Sequence, residues 1–272
     1  MATTALSPIA AFARAHDPDR FLTAIFMPAA VREAFFCLIA LNHELARARE
    51  ATINPVAALI RLQWWRDAIG EAASGAPARR HEVAAPLHAA IVSGALAADD
   101  LLGLVDAREP ETEEEGIPTR EAFGSYLRAG AGGFAVVAGR LAGAPSESLP
   151  LLQRLGALHG LSGVLRSVPA HAAQGRCLLP RDALAEAGLI TEAVVADPAI
   201  AAPLLRALAE EGGVMIGKAM AEALPHAALP AALPAVLARR DLRRIAAGQP
   251  VPRPRGVADR LAVAWAAFRG RL

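Results

Sequence analysis

The sequence predicts an all-α fold. Alanine and leucine dominate, β-branched runs are scarce, and apolar residues recur at steps of three and four. No stretch alternates apolar and polar residues between hairpin turns. The first helical stripe is Phe35, Leu38, Leu41, Leu45 and Ala48, one buried face of a long helix. Leu59, Leu62, Trp65 and Ile69 form a second stripe after Pro55, whose fixed φ and missing N–H suit a first helical position. Thr119, ahead of Arg120, is an N-cap for a helix running to about Leu141. Leu155, Leu158, Leu161, Leu165 and Val168 mark a further helix. Residues 106–118 form an acidic loop broken by Pro and Gly, and residues 248–256 a proline-rich linker before a short last helix. Neither separates two self-sufficient cores and no fixed-period repeat occurs, so one domain over residues 1–272 is expected.

Composition narrows the partners. The chain is 54% hydrophobic with a net charge of +1, which gives no general attraction to nucleic acid. The charge is uneven: from Ala238 onward there are nine Arg and two Asp. Arg239, Arg240, Arg243 and Arg244 fall within two turns, either as a solvated helix face or as a peripheral contact with an anionic membrane. Cys37 and Cys177 lie far apart without a C-x-x-C, which indicates a reducing compartment. The first residues lack the basic and apolar regions of a signal peptide. The longest uncharged runs, Val83–Ala98 and Ala223–Ala238, fall short of the roughly 18–20 residues of a spanning helix. The expected location is the cytoplasm, with peripheral contact at the inner membrane.

Three short patterns suggest chemistry. GAGGFA at 130–135 begins like a dinucleotide fingerprint, but the preceding residues read as helix, so close helix packing is the better explanation. GLSG at 160–163 lacks the spacing of a nucleophile elbow. Two helix faces are more informative. Phe36, Ala40, His43 and Arg47 step by four, three and four, with Glu44 alongside; Gly156, Gly160, Gly163 and Ser167 step the same way. A glycine stripe means close packing or a cavity floor. If both faces line one cavity, His43, Glu44, Arg47, Arg166 and His171 converge in it. The alternative is that these polar residues are separately solvated or capped.

Five segments, in order, resemble the squalene/phytoene synthase family: DPDRFLTAIFMP, RLQWWRDAI, VDARE, SYLRAGAGG and VLRSV followed by GRCLLPRDAL. The resemblance implies an all-α isoprenoid synthase fold with a central cavity. In catalytic members two aspartate motifs face each other and hold Mg²⁺ on a diphosphate leaving group. Carried over by position, the first motif falls on His43, Glu44 and Arg47, keeping one acid of three, and the family's preceding arginine falls on Ala40. The second falls on Ser167 and His171, with no acid left. Pro169 between them is expected to end or kink the helix. Arg166 and Arg176 match the family and, with His171, would face an anion. Phe36, Ala40, Gly160 and Gly163 would line the cavity.

LNHELA at 41–46 and VLRSVPAH at 164–171 are further similar to a branch lacking the aspartates, which contains a mitochondrial complex I assembly factor and bacterial relatives. This resemblance implies a non-catalytic protein partnered with complex I subunits or assembly intermediates, without cofactor or metal, its old cavity holding a lipid or anion. Two alternatives stay open. One is a divergent Mg²⁺-dependent prenyltransferase of isoprenoid, carotenoid or hopanoid synthesis. The other is a metal site on His43, Glu44 and His171.

Overall fold

The computed structural model describes residues 6–50, 54–113, 115–252 and 254–272, with the side chain of residue 50 left aside. Among the described residues the regular elements are all helical. In chain order the α-helices are α1 (Pro8–His16), α2 (Pro18–Thr23), α3 (Arg32–Glu50), α4 (Pro55–Ala73), α5 (Ala84–Val92), α6 (Ala98–Asp106), α7 (Arg120–Leu127), α8 (Gly133–Leu141) and α9 (Leu149–Ala172). They continue with α10 (Arg181–Glu186), α11 (Thr191–Ala196), α12 (Ala202–Met220), α13 (Leu229–Ala232), α14 (Pro234–Ala246) and α15 (Val257–Arg269). The long helix α9 packs against α7, α8, α12, α13 and α14 and so lies at the centre of the helical core.

Most of the sequence stripes become core. Phe35, Leu38, Leu41, Leu45 and Ala48 are buried on α3, as are Leu155, Leu158, Leu161, Leu165 and Val168 on α9. Each large apolar side chain removed from water in this way contributes about 1.5–3 kcal/mol before chain entropy is subtracted. On α4, Leu62, Trp65 and Ile69 are buried, but Leu59 is 40% exposed because the helix face turns outward there. Asn54 caps that helix by accepting from the Val56 amide at 2.9 Å. Thr119 caps α7 as expected, its hydroxyl accepting from the Ala122 amide at 3.1 Å.

The helix from Thr119 toward Leu141 carries a feature the sequence pattern does not show. Arg128–Gly132 form a π-helical turn between α7 and α8. Glycine makes the close approach of this turn to α9 feasible. A Cβ on Gly156 would lie 2.5 Å from the Ala131 carbonyl oxygen, and one on Gly132 would lie 2.7 Å from that of Gln153. The GAGGFA segment is therefore a packing device, and Ser162 of GLSG is buried, its hydroxyl donating to the His159 carbonyl at 2.9 Å.

Pro169 does not end its helix. α9 runs on to Ala172, because the proline sits in the last turn, where the Ala173 amide still donates to the Pro169 carbonyl at 3.1 Å. Gly175, at φ +71°, then lets the chain turn away. The main core is continuous from Ile9 to Leu242, and a smaller cluster of Leu229, Leu233, Val236, Leu237, Val263 and Ala266 seats α15 on α13 and α14.

Candidate functional site

A cavity of about 220 Å³ lies between α3, α9, the π-helical turn and the 108–111 segment. Its floor includes Gly160 and Gly163. The two glycines differ: a Cβ on Gly160 would meet Ala131 at 2.7 Å, whereas Gly163 has nothing within 4 Å. Gly163 thus leaves space, and Gly160 serves packing at the cavity edge. Phe36 and Ala40 do not line it. Phe36 stacks on Phe21 with ring centroids 5.4 Å apart, and Ala40 is fully buried in the core.

The expected convergence of the two degenerate motifs holds on one side only. Ser167 and His171 of α9 both line the cavity. From α3, however, Asn42 and Ala46 face it, one residue ahead of the positions assigned from sequence. A shift of one residue rotates a helix by about 100°, which is enough to move a side chain to another face. His43 turns instead toward α1, stacking on His16 at 4.2 Å and meeting Phe12 edge-on at 5.7 Å. Glu44 and Arg47 pair at 3.4 Å and open onto a separate pocket of about 280 Å³ with Arg61, Trp64, Trp65 and His81. His43, Glu44 and His171 therefore do not share a site, and no three metal-ligating side chains cluster among the described residues.

The arginines are held internally. Arg176 donates to Glu111 at 3.1 Å, and Arg108 donates to the same carboxylate at 2.7 Å. Tyr126 donates its hydroxyl to Glu111 at 2.8 Å, and Arg108 also reaches the Asn42 side chain at 2.8 Å. Burial alone would raise the Glu111 pKa, but the charges of Arg108 and Arg176 overcome it and hold the carboxylate below its usual range. Burial and the nearby Glu111 charge push the Tyr126 hydroxyl well up. Two guanidiniums and a phenol thus converge on one carboxylate in this wall of the cavity.

Arg166 is engaged on the other side. It donates to Asp19 at 3.0 Å and to Asp241 at 3.2 Å, and Arg255 donates to both carboxylates at 2.7 Å. The network continues to Asp259, which accepts from Arg240 and Arg244. Burial would raise the Asp19 pKa, yet the hydrogen bond and charge of Arg255, with Arg166, hold it well below the usual carboxylate range. Arg240 and Arg244 are therefore spent inside the protein, and Arg239 and Arg243 are the two of the run not held by Asp259.

Mg²⁺, which the family's catalytic chemistry implies, does not fit these donors. Asn42, Ala46, Ser167 and His171 stand at or beside the motif positions that face the cavity, and Glu111, the carboxylate lining it among the described residues, is already committed to two arginines and a tyrosine. A hard dication needs several free oxygen ligands, and these side chains offer few.

A half-buried and a buried histidine make stability pH-dependent. Burial, helped by the charges of His16 and Arg47, pushes the His43 pKa down to about 4. An unfolded histidine takes a proton near pH 6.5, which the folded one refuses until about pH 4. The contribution of this residue is thus full above pH 6.5 and is lost as pH drops toward 4. His159, also pushed down by burial, acts in the same direction. Urea midpoints measured between pH 7 and 4 are expected to show this decline, with a shallower slope in His43→Phe. Midpoints that do not change over that range would contradict the assignment.

Sequence reading missed Asn42, Arg108, Glu111, Tyr126 and the Asp19–Asp241–Asp259 network. Some signal was present: Arg108 lies in VDARE, Tyr126 in SYLRAGAGG and Asp19 in DPDRF. Glu111 was hidden in a loop whose acids look solvated.

Comparison with known proteins agrees with this geometry. The squalene/phytoene synthase family profile matches residues 13–262. Among curated relatives, NADH dehydrogenase (ubiquinone) complex I, assembly factor 6 of Mus musculus is 22% identical over 180 residues, 66% of this chain and 54% of the relative. The Homo sapiens protein of the same name is 23% identical over 170 residues, 62% of this chain and 51% of its own. The chain thus spans about half the length of the curated relatives it matches. A dehydrosqualene synthase structure superposes with a TM-score of 0.78 at 12% identity, covering 96% of this chain and 94% of its own. A squalene synthase from Alicyclobacillus acidocaldarius gives a TM-score of 0.66 at 17% identity, covering 89% of this chain and 94% of its own. These superpositions establish the shared all-α isoprenoid synthase fold, and the profile match establishes descent: the chain belongs to the squalene/phytoene synthase family.

Proposed function

We propose that this protein is a non-catalytic member of its family that acts in the assembly of respiratory complex I. One observation carries the reading. The inward positions on α3 and α9 are Asn42, Ala46, Ser167 and His171, and the cavity's carboxylate is neutralised by its own arginines. A fold does not confer activity once the groups that perform the chemistry are gone. The curated relatives named as complex I assembly factors support the role. The cavity, at about 220 Å³, is smaller than the roughly 300–1,000 Å³ of ordinary ligand pockets. At that size it suits a small ligand better than prenyl chains.

The second reading, a divergent Mg²⁺-dependent prenyltransferase, draws on the likeness of fold to dehydrosqualene and squalene synthases. Deleting the gene in a host with a multisubunit NADH:quinone oxidoreductase separates the two. Loss of most NADH:quinone activity and of the assembled complex on native gels, with squalene, carotenoids and hopanoids intact, is the expected result. Normal complex I together with a missing isoprenoid would overturn the proposal and favour the second reading.

A further inference from the structure

The last helix carries its apolar residues on the outside. Val257, Leu261, Trp265 and Phe268 of α15 follow at steps of four, four and three, and are 73%, 63%, 59% and 83% exposed. Its other side is already satisfied: Asp259, Val263 and Ala266 are buried against the body. A surface helix ordinarily turns its charged side to water. Here Arg260 and Arg269 border the apolar face instead. The Trp265 and Phe268 rings stack at 5.9 Å, and the Arg269 guanidinium lies 5.9 Å from the centre of the Trp265 ring.

A cleft of about 630 Å³ adjoins this face. Arg260 forms part of its wall, as does Ile25, itself 61% exposed. Arg14 and Arg260 are exposed and have no ion-pair partner among the described residues. At its inner end stands His159, whose buried Nε2 has no hydrogen-bond partner. Asp259 is the sole acid from residue 242 onward, and it is buried under Arg240 and Arg244. Asp17 and Asp19 also line the cleft, but each is paired with arginine, Asp17 with Arg20 and Asp19 with Arg166 and Arg255; among the described residues that line the face and cleft, the exposed charges are therefore cations, and that complementarity selects an anionic occupant.

We propose that α15 and this cleft together dock onto an anionic phospholipid bilayer. Val257, Leu261, Trp265 and Phe268 enter the boundary between head groups and acyl chains, and a lipid phosphate sits between Arg14 and Arg260. Tryptophan favours that boundary, and the long arginine stems follow the apolar surface while their charges reach the head groups. The proposal does not depend on the complex I reading. It moves the membrane contact expected from sequence away from the Arg239–Arg244 run to an element that run helps to anchor.

Flotation of the full chain with vesicles tests it. Wild type is expected to float with mixed phosphatidylcholine–phosphatidylglycerol vesicles and to stay behind with phosphatidylcholine alone. Leu261→Gln/Trp265→Gln/Phe268→Gln should abolish flotation while keeping the wild-type melting curve, since all three side chains face outward. Arg14→Gln/Arg260→Gln should weaken partitioning about 30-fold, roughly fivefold for each cation. Failure of wild type to float, flotation unaffected by the apolar triple variant, or equal flotation on neutral vesicles would each overturn the proposal. So would a protein that fails to float and forms dimers that the triple variant dissolves, because the face would then belong to a second copy of the chain.

Discussion

Replacing Asp241 by alanine is expected to cost about 3–5 kcal/mol of folding stability, read as a fall in the urea midpoint. Asp241 is fully buried and receives Arg166 from α9 and Arg255 from the segment before α15. Removing it leaves two guanidiniums to share Asp19, a largely buried surplus charge. The cost is therefore chiefly that of an unpaired charge rather than of a lost contact. Asp241→Asn should also destabilise, because it keeps the shape but not the charge. The double variant Asp241→Leu/Arg255→Met should recover part of the loss by removing charge of both signs. A loss under about 1 kcal/mol for Asp241→Ala would show that water reaches the network and screens it.

The second large effect concerns chemistry. Enzymes typically accelerate reactions by about 10⁶-fold or more over the uncatalysed rate. This protein, given farnesyl or geranylgeranyl diphosphate and Mg²⁺, is expected to release pyrophosphate at the background rate. Mg²⁺ stabilises a departing diphosphate only when oxygen ligands fix it against the substrate. Asn42 offers one amide oxygen, Ala46 none, and Glu111 is engaged with Arg108, Arg176 and Tyr126. Mg²⁺-dependent release well above background, and lost in Glu111→Gln, would contradict this and assign Glu111 a catalytic duty.

The helical class was legible because periodicity is a local property. Phe35 through Ala48 and Leu155 through Val168 repeat at the helical step, and each set is buried. Caps were legible for the same reason, since Thr119 needs only its own neighbours. The glycines at 130–133 and 156–163 also signalled close approach correctly, though the π-helical turn they accommodate did not show in the pattern.

The site was less legible. Helix phase decides whether residue 42 or residue 43 faces inward, and phase is set by what packs around the helix. The α1 helix draws His43 into a stack with His16 and leaves Asn42 to the cavity. Arg166 and Arg176 were legible as cations, but their partners lie 147 and 65 positions away, at Asp19 and Glu111. The same holds for Arg240 and Arg244, which read as a membrane-facing run until Asp259 folds over them.

By itself the sequence determined the helices, their buried stripes, the family and the scarcity of acids at the positions that the resemblance assigns to metal binding, because each follows from residue identity and short spacing. Tertiary structure alone decided which charges are spent and which are free. Ion pairing depends on distances of a few ångströms between residues far apart in the chain, and only the assembled fold supplies those distances.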